Sequence, residues 1–261
     1  MSEFDVFEFI SSMEPICEYD DIVYDLSNEE LIQLNENIKD NIFQDENGTT
    51  TNIPINDRTM ILHVPNNLPE KYNLVLFFHG LGDHPWDMAL NQTKWRELSN
   101  KYKFIIALAC GTNCGEYHDR RCGFNVKNPE HDLKYMNDMI KIIWNDHNIN
   151  DIYYVGFSNG GIFSSIVAQK YGGKIFKKII NIMGGFGKNN LEVCDMKEYN
   201  PCSMLFVTGT KDDYMTSCEF ACDFFKNKGY DVNIKILQDV GHVYPIDQEE
   251  YIYDFMNMVF L

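Results

Sequence analysis

The sequence predicts an α/β fold: a mainly parallel sheet covered by helices on both faces. Two observations carry that expectation. From Thr51 onward, short β-branched or aromatic runs alternate with longer stretches of helical periodicity. The 261 residues can also bury one full core without requiring a second domain. Strands are expected over 58–64, 74–78, 104–108, 152–155, 178–182, 203–208 and 232–237. Helices over 86–101, 131–147, 159–171, 216–228 and 248–259 fall between them. Each has an apolar stripe, such as Met136, Met139, Ile140 and Ile143, which reads as core packing. The connection from 183 to 203 is too short for a large cap domain, so an open site is expected.

The apolar share of 44% and charged share of 23% fit a globular chain and exclude a disordered or fibrous one. The net charge of −17 is unevenly placed: residues 1–57 hold 15 Asp and Glu against one base, Lys39, while the remainder carries only −3. Acidity of that kind repels nucleic acid and anionic membrane, and neither is expected as a partner. Residues 1–25 interleave acids with Phe4, Val6, Phe7, Phe9 and Ile10, a pattern equally suited to an amphipathic docking helix or an acidic-hydrophobic arm for a protein partner. Ser27 and Glu30 form a capping box ahead of Leu31, Leu34, Ile38 and Ile42, which predicts a helix near 28–43. Gly48 and the threonines after it mark a boundary between an acidic extension over 1–48 and a folded domain over 49–261.

No stretch reaches the roughly 18 apolar residues of a membrane span. Met1-Ser2-Glu3-Phe4-Asp5 lacks the basic start of a secretory signal, so a cytoplasmic location is expected. In that compartment the eight cysteines would mostly remain thiols, with Cys218 and Cys222, one helical turn apart, packed inward.

Chemistry concentrates at strand ends. Gly156-Phe157-Ser158-Asn159-Gly160 follows the expected strand at 152–155 and precedes a helix carrying Ile162, Ile166 and Val167. Glycines flanking a serine let neighbouring backbones approach, and the helix N-terminus behind it favours a developing oxyanion. Ser158 is the candidate nucleophile. The apolar run from Asn73 to Phe78 ends in His79-Gly80-Leu81-Gly82-Asp83, where the Leu81 amide could join that of Asn159 as oxyanion donors. His79, at the strand end, reads as a brace for the loop. Gly209-Thr210-Lys211-Asp212-Asp213 follows the strand at 203–208 and offers Asp212, or alternatively Asp213, as a carboxylate to orient a base. His242 follows the last strand, and the other six histidines precede Ser158. The chain order Ser158, Asp212, His242 is that of one hydrolase architecture and of no other common one.

These segments, with Arg58-Thr59-Met60-Ile61-Leu62-His63-Val64-Pro65 and the Ser-Asn-Gly-Gly form of the serine motif, resemble the feruloyl esterase and polyhydroxybutyrate depolymerase-like esterases of the α/β-hydrolase superfamily over about 58–245. The resemblance implies an α/β-hydrolase fold with 49–261 as a catalytic domain, and ester hydrolysis through an acyl-enzyme without metal or organic cofactor. Thioesterase or lysophospholipase activity would use the same residues, and a non-catalytic interaction protein on a hydrolase scaffold is the reading from a different class. Trp86, Phe157, Phe186, Tyr214 and Tyr244 lie near the motif loops and could line an apolar substrate pocket. Cys110, Cys114, His118 and Cys122 recur every four residues but lack the tight Cys-x₂-Cys turns of short zinc sites, and no metal is expected. Asp132 reads as a helix N-cap.

Overall fold

The computed structural model describes residues 42–83, 85–112, 122–186 and 199–257. The sheet is entered through β1 (Ile42–Gln44), β2 (Gly48–Ile55) and β3 (Arg58–Pro65), which pair antiparallel. Then follow β4 (Tyr72–Phe78), β5 (Ile105–Ala109), β6 (Ile149–Phe157), β7 (Lys178–Ile182), β8 (Ser203–Gly209) and β9 (Asp231–Leu237). Among the described residues the spatial order is β1-β2-β3-β5-β4-β6-β7-β8-β9. β3 meets β5 antiparallel, and every later neighbour is parallel.

Helices α1 (Trp95–Tyr102), α2 (Glu130–Asp146), α3 (Asn159–Lys170), α4 (Met215–Asn227) and α5 (Glu249–Asn257) cover the sheet. Strand alternation divides the core between its two faces. Leu74, Leu76 and Phe78 of β4 pack with residues of α2, α3 and α4, whereas Val75 and Phe77 pack with α1 and α5. A strand buried on both faces reads as a continuous apolar run, which is why Leu74 to Phe78 is legible without alternation.

All seven expected strands are present, and β1 and β2 are additional. β2 turns into β3 through Asn56-Asp57, with Ile55 opposite Arg58 and Asn56 at φ 54°, a left-handed value that Asn tolerates in a two-residue hairpin. Among the described residues the sheet thus starts at Ile42, ahead of Gly48. The helix expected over 28–43 lies outside the described residues except for Ile42 and Phe43, which belong to β1. The helix expected over 86–101 is instead broken into a turn at Pro85–Asp87, a π-helical turn at Met88–Gln92, and α1. The Thr93 hydroxyl donates to the Met88 carbonyl at 2.7 Å, and the Glu249 carboxylate accepts the Lys94 N–H at 2.7 Å, so a new helix starts there.

Asp132 is not an N-cap. α2 begins two residues earlier, and the fully buried Asp132 carboxylate accepts from the Arg58 guanidinium and from the Asn125 N–H at 2.6 Å. The pair ties β3 to α2, with Arg58 also 4.9 Å above the Tyr135 ring. Among the described residues no helix is long and apolar enough to cross a membrane.

Removing the carboxylate would leave Arg58 charged and buried. Asp132→Ala should therefore lower the free energy of unfolding by about 3–5 kcal/mol, measured by urea denaturation. A loss below about 1 kcal/mol would show that the pair is dispensable.

Candidate active site

Ser158 stands between β6 and α3 at φ 51°, ψ −110°, a conformation that costs a non-glycine residue energy and must be enforced by its surroundings. Its N–H donates to the Ile182 carbonyl at 2.8 Å, and its own carbonyl accepts the Ile162 N–H at 2.8 Å. The Gly160 N–H donates to the His79 carbonyl at 3.0 Å. A Cβ at Gly156 would fall 2.2 Å from the Gly160 carbonyl oxygen, and one at Gly160 would fall 2.1 Å from that of Phe78. Both flanking glycines are thus required by close backbone approach.

The Ser158 Oγ lies 2.8 Å from His242 Nε2, and His242 Nδ1 lies 3.0 Å from Asp212 Oδ1. A carboxylate can only accept, so Nδ1 carries the proton and Nε2 is left as the acceptor for the serine hydroxyl. Asp212 Oδ1 also accepts the Tyr214 N–H at 2.9 Å, and its side chain is wholly buried where that of His242 is 35% exposed. Asp213, the alternative carboxylate, is exposed. The His242 ring stacks on Phe157, with centroids 5.7 Å apart and planes at 23°, and Tyr214 flanks it at 5.1 Å.

Leu81 lies on the loop after β4 with its side chain 63% exposed, and Asn159 opens α3, where its amide has no carbonyl one turn earlier to bond. The Asn159 side chain clamps the facing segment, accepting the Phe124 N–H at 2.6 Å and donating to the Phe124 carbonyl at 3.1 Å. His79 is buried and braces the loop, as expected. Its Nδ1 donates to the Gly80 carbonyl at 2.7 Å, and its Nε2 accepts the Gly111 N–H at 3.1 Å, which fixes a neutral ring.

Cysteine behaviour is mixed. Cys110, Cys202, Cys218 and Cys222 are free thiols, and burial pushes each up to about 12. Cys218 and Cys222 do pack inward. Cys122, however, is disulfide-bonded, an exception among cysteines expected to remain mostly thiols. Of the zinc-like quartet, Cys114 and His118 lie outside the described residues, and a sulfur in a disulfide is not a thiolate ligand.

The aromatic residues divide by role. Tyr214 is 40% exposed beside His242, Phe157 is nearly buried beneath it, and Trp86 is half-buried against the same cluster. Phe186 is fully buried against Phe224 and Phe225 on the opposite face, so it lines no substrate pocket. The Tyr244 ring meets Phe157 edge-on at 5.2 Å, while its hydroxyl points inward. That hydroxyl accepts from Trp95 Nε1 at 2.7 Å and donates to Glu249 Oε1 at 2.8 Å. Trp95 and Glu249 carried no signal in the sequence. An acid in the first turn of a helix ordinarily reads as a solvated partner of the helix dipole.

A nine-stranded, mostly parallel sheet with a strained serine after a central strand and an Asp and a His on the loops beyond defines the α/β-hydrolase fold. No family model matches the chain. An uncharacterized hydrolase of Acanthamoeba polyphaga mimivirus is 27% identical, the match covering 80% of this chain and 78% of that protein. Solved structures of similar fold include an acetyl xylan esterase from Aspergillus awamori, at 14% identity with 80% and 99% of the two chains covered and a TM-score of 0.66. An S-formylglutathione hydrolase from Staphylococcus aureus is 11% identical, with 80% and 95% covered and a TM-score of 0.61.

Burial pushes the Glu249 carboxyl up to about 7. The folded state thus holds this proton more tightly than the unfolded chain does. The resulting stabilisation is complete below the ordinary carboxylate range and is lost as pH rises through about 7. Glu249→Gln cannot titrate, so its Tm relative to the native chain should increase between about pH 5 and about pH 8. A Tm difference that stays constant with pH would contradict this assignment.

Proposed function

We propose that this protein hydrolyses carboxylic esters through an acyl-enzyme on Ser158. The observation that carries the reading is the unbroken chain from the Ser158 Oγ through His242 to Asp212, with both links at hydrogen-bond length. Ser158 Oγ attacks the ester carbonyl carbon while its proton passes to His242 Nε2. The amides of Leu81 and Asn159 bind the oxyanion that forms. As the carbon–oxygen bond to the alcohol breaks, His242 returns the proton to the departing oxygen. Water then repeats the sequence against the acyl-serine and releases the acid. Asp212 holds the imidazole in the required tautomer and stabilises the imidazolium in both halves.

The fold shared with esterases supports this reading, as does the hydrolase name of the mimiviral relative. An apolar portion of the substrate would meet Phe157 and Tyr214, the aromatic rings beside His242, with Tyr244 against Phe157 and Trp86 on the apolar cluster that includes it. Exposed Leu81 and Val243, on the loops that carry the candidate oxyanion donor and base, add to this apolar surface.

Ser158→Ala should lower kcat/KM on a short-chain p-nitrophenyl ester by several orders of magnitude, on the order of 10⁶ if the three residues act as a unit. Activity retained by that variant would end the proposal. Asp212→Asn should cost on the order of 10⁴ in kcat while leaving the fold intact by circular dichroism. A fluorophosphonate probe should label the native chain at Ser158, as read by peptide mass spectrometry, and should not label Ser158→Ala.

A further inference from the structure

Before the base, the loop bearing His242 is tied to the loop after β8: the Val240 carbonyl accepts the Lys211 N–H at 2.9 Å, and the Asp239 N–H donates to Thr210 Oγ1 at 2.8 Å. At Gly241 itself a Cβ would make only an ordinary contact, 3.8 Å from the Lys211 carbonyl oxygen. The loop's internal bond, Val243 N–H to the Gly241 carbonyl at 2.9 Å, is a tight local turn that fixes nothing outside itself. Two residues beyond the base, however, the chain is fastened to the interior. Tyr244 sends its hydroxyl into a buried site where it accepts from Trp95 Nε1 and donates to Glu249 Oε1. The second carboxylate oxygen, Oε2, accepts the backbone N–H of Lys94 at the start of α1.

One buried carboxyl group therefore joins three segments: the base loop, the start of α1 and the start of α5. From this point the contact runs back to the reacting atoms. The Tyr244 ring stands edge-on to both Phe77 and Phe157, and Phe157, which directly precedes Ser158, stacks against the His242 imidazole. A shift of the Tyr244 hydroxyl is carried to the base by the intervening backbone and to the nucleophile strand by the Phe157 ring.

We infer that Glu249, acting through Tyr244, is a positioning residue for the base: it holds the His242 loop at the distance from Ser158 that proton transfer requires. The inference rests on the reading of Ser158, His242 and Asp212 as a catalytic unit. Glu249 touches neither substrate nor reacting atoms. As a carboxylate it accepts from both Tyr244 and Lys94. Once protonated on Oε1, it keeps both links only by reversing the bond to Tyr244, whose hydroxyl then accepts from Glu249 and gives up the acceptor it had. Burial raises its titration toward neutrality, and Glu97 reinforces the rise, whereas the Tyr244 hydroxyl and the Lys94 N–H oppose it. The titratable and charged groups facing it are thus Lys94 and Glu97 from the α1 side and Tyr244 from the base loop.

The test uses the full chain with Glu249→Gln and Tyr244→Phe, assayed on a p-nitrophenyl ester beside Ser158→Ala. Tyr244→Phe keeps the ring and its packing and removes only the bridging hydroxyl, so it decides the matter even if Glu249→Gln does not fold. In each variant kcat at about pH 8 should fall by roughly ten- to a hundredfold with KM little changed, as expected for a misplaced base rather than a lost binding contact. The ratio of native to variant kcat should narrow toward about pH 6, because the native link itself loosens as Glu249 takes up its proton. Values of kcat within about twofold of native at pH 8, or a ratio flat with pH, would overturn the inference. Activity surviving in Ser158→Ala would instead overturn the reading of the nucleophile, a separate result from the same assay.

Discussion

The arrangement around Ser158 depends on backbone meeting backbone. At Gly160 the first turn of α3 is pressed so closely against the end of β4 that a Cβ would lie 2.1 Å from the Phe78 carbonyl oxygen. That contact sets the height of α3 above the sheet, and with it the left-handed conformation of Ser158 and the position of the Asn159 amide. The approach is also what lets His79, at the end of β4, accept the Gly160 N–H while its ring braces the adjoining loop. Strand, elbow and candidate oxyanion loop are one rigid body because no side chain separates them.

This body is half of the site, and the other half hangs from β8 and β9. Asp212 is buried and receives the Tyr214 amide, whereas His242 is partly open to solvent. The stacking of Phe157 beneath His242 joins the halves, and the half-buried Tyr244, bonded to the buried Trp95 and Glu249, meets the Phe157 ring edge-on. Glu249 illustrates a balance between stability and geometry. Keeping its charge buried works against folding above neutral pH, yet the charged form makes the fuller set of hydrogen bonds.

The parts legible in the sequence are those whose local chemistry carries the signal. Apolar runs marked all seven expected strands, and Gly156 and Gly160 marked the elbow because only glycine fits there. Asp212 and His242 were legible by order, since a parallel sheet brings the loops after successive strands to one end. The missing parts are contacts between residues far apart in the chain. Glu249 sits 155 residues from Lys94, and no helical pattern announces that it will interrupt the helix expected over 86–101. Asp132 was misread for the same reason: an acid near a helix start suggests a cap until Arg58, 74 residues away, arrives beside it. β2 carries little signal because its threonines lie on a half-buried strand that, among the described residues, has β3 alone beside it along most of its length.

The order of the strands has a further consequence. Among the described residues β9 is the last strand of the sheet, pairs only with β8, and is largely half-exposed along its length, while Ser158, the candidate nucleophile, follows β6 deep in the centre. His242 is thus carried by the margin of the sheet, where backbone hydrogen bonds open most readily, and Ser158 by its centre. Fraying of that margin disconnects His242 while the central strands remain intact. Separation of His242 from Ser158 on warming or in denaturant is then a local event, distinct from the collapse of the fold.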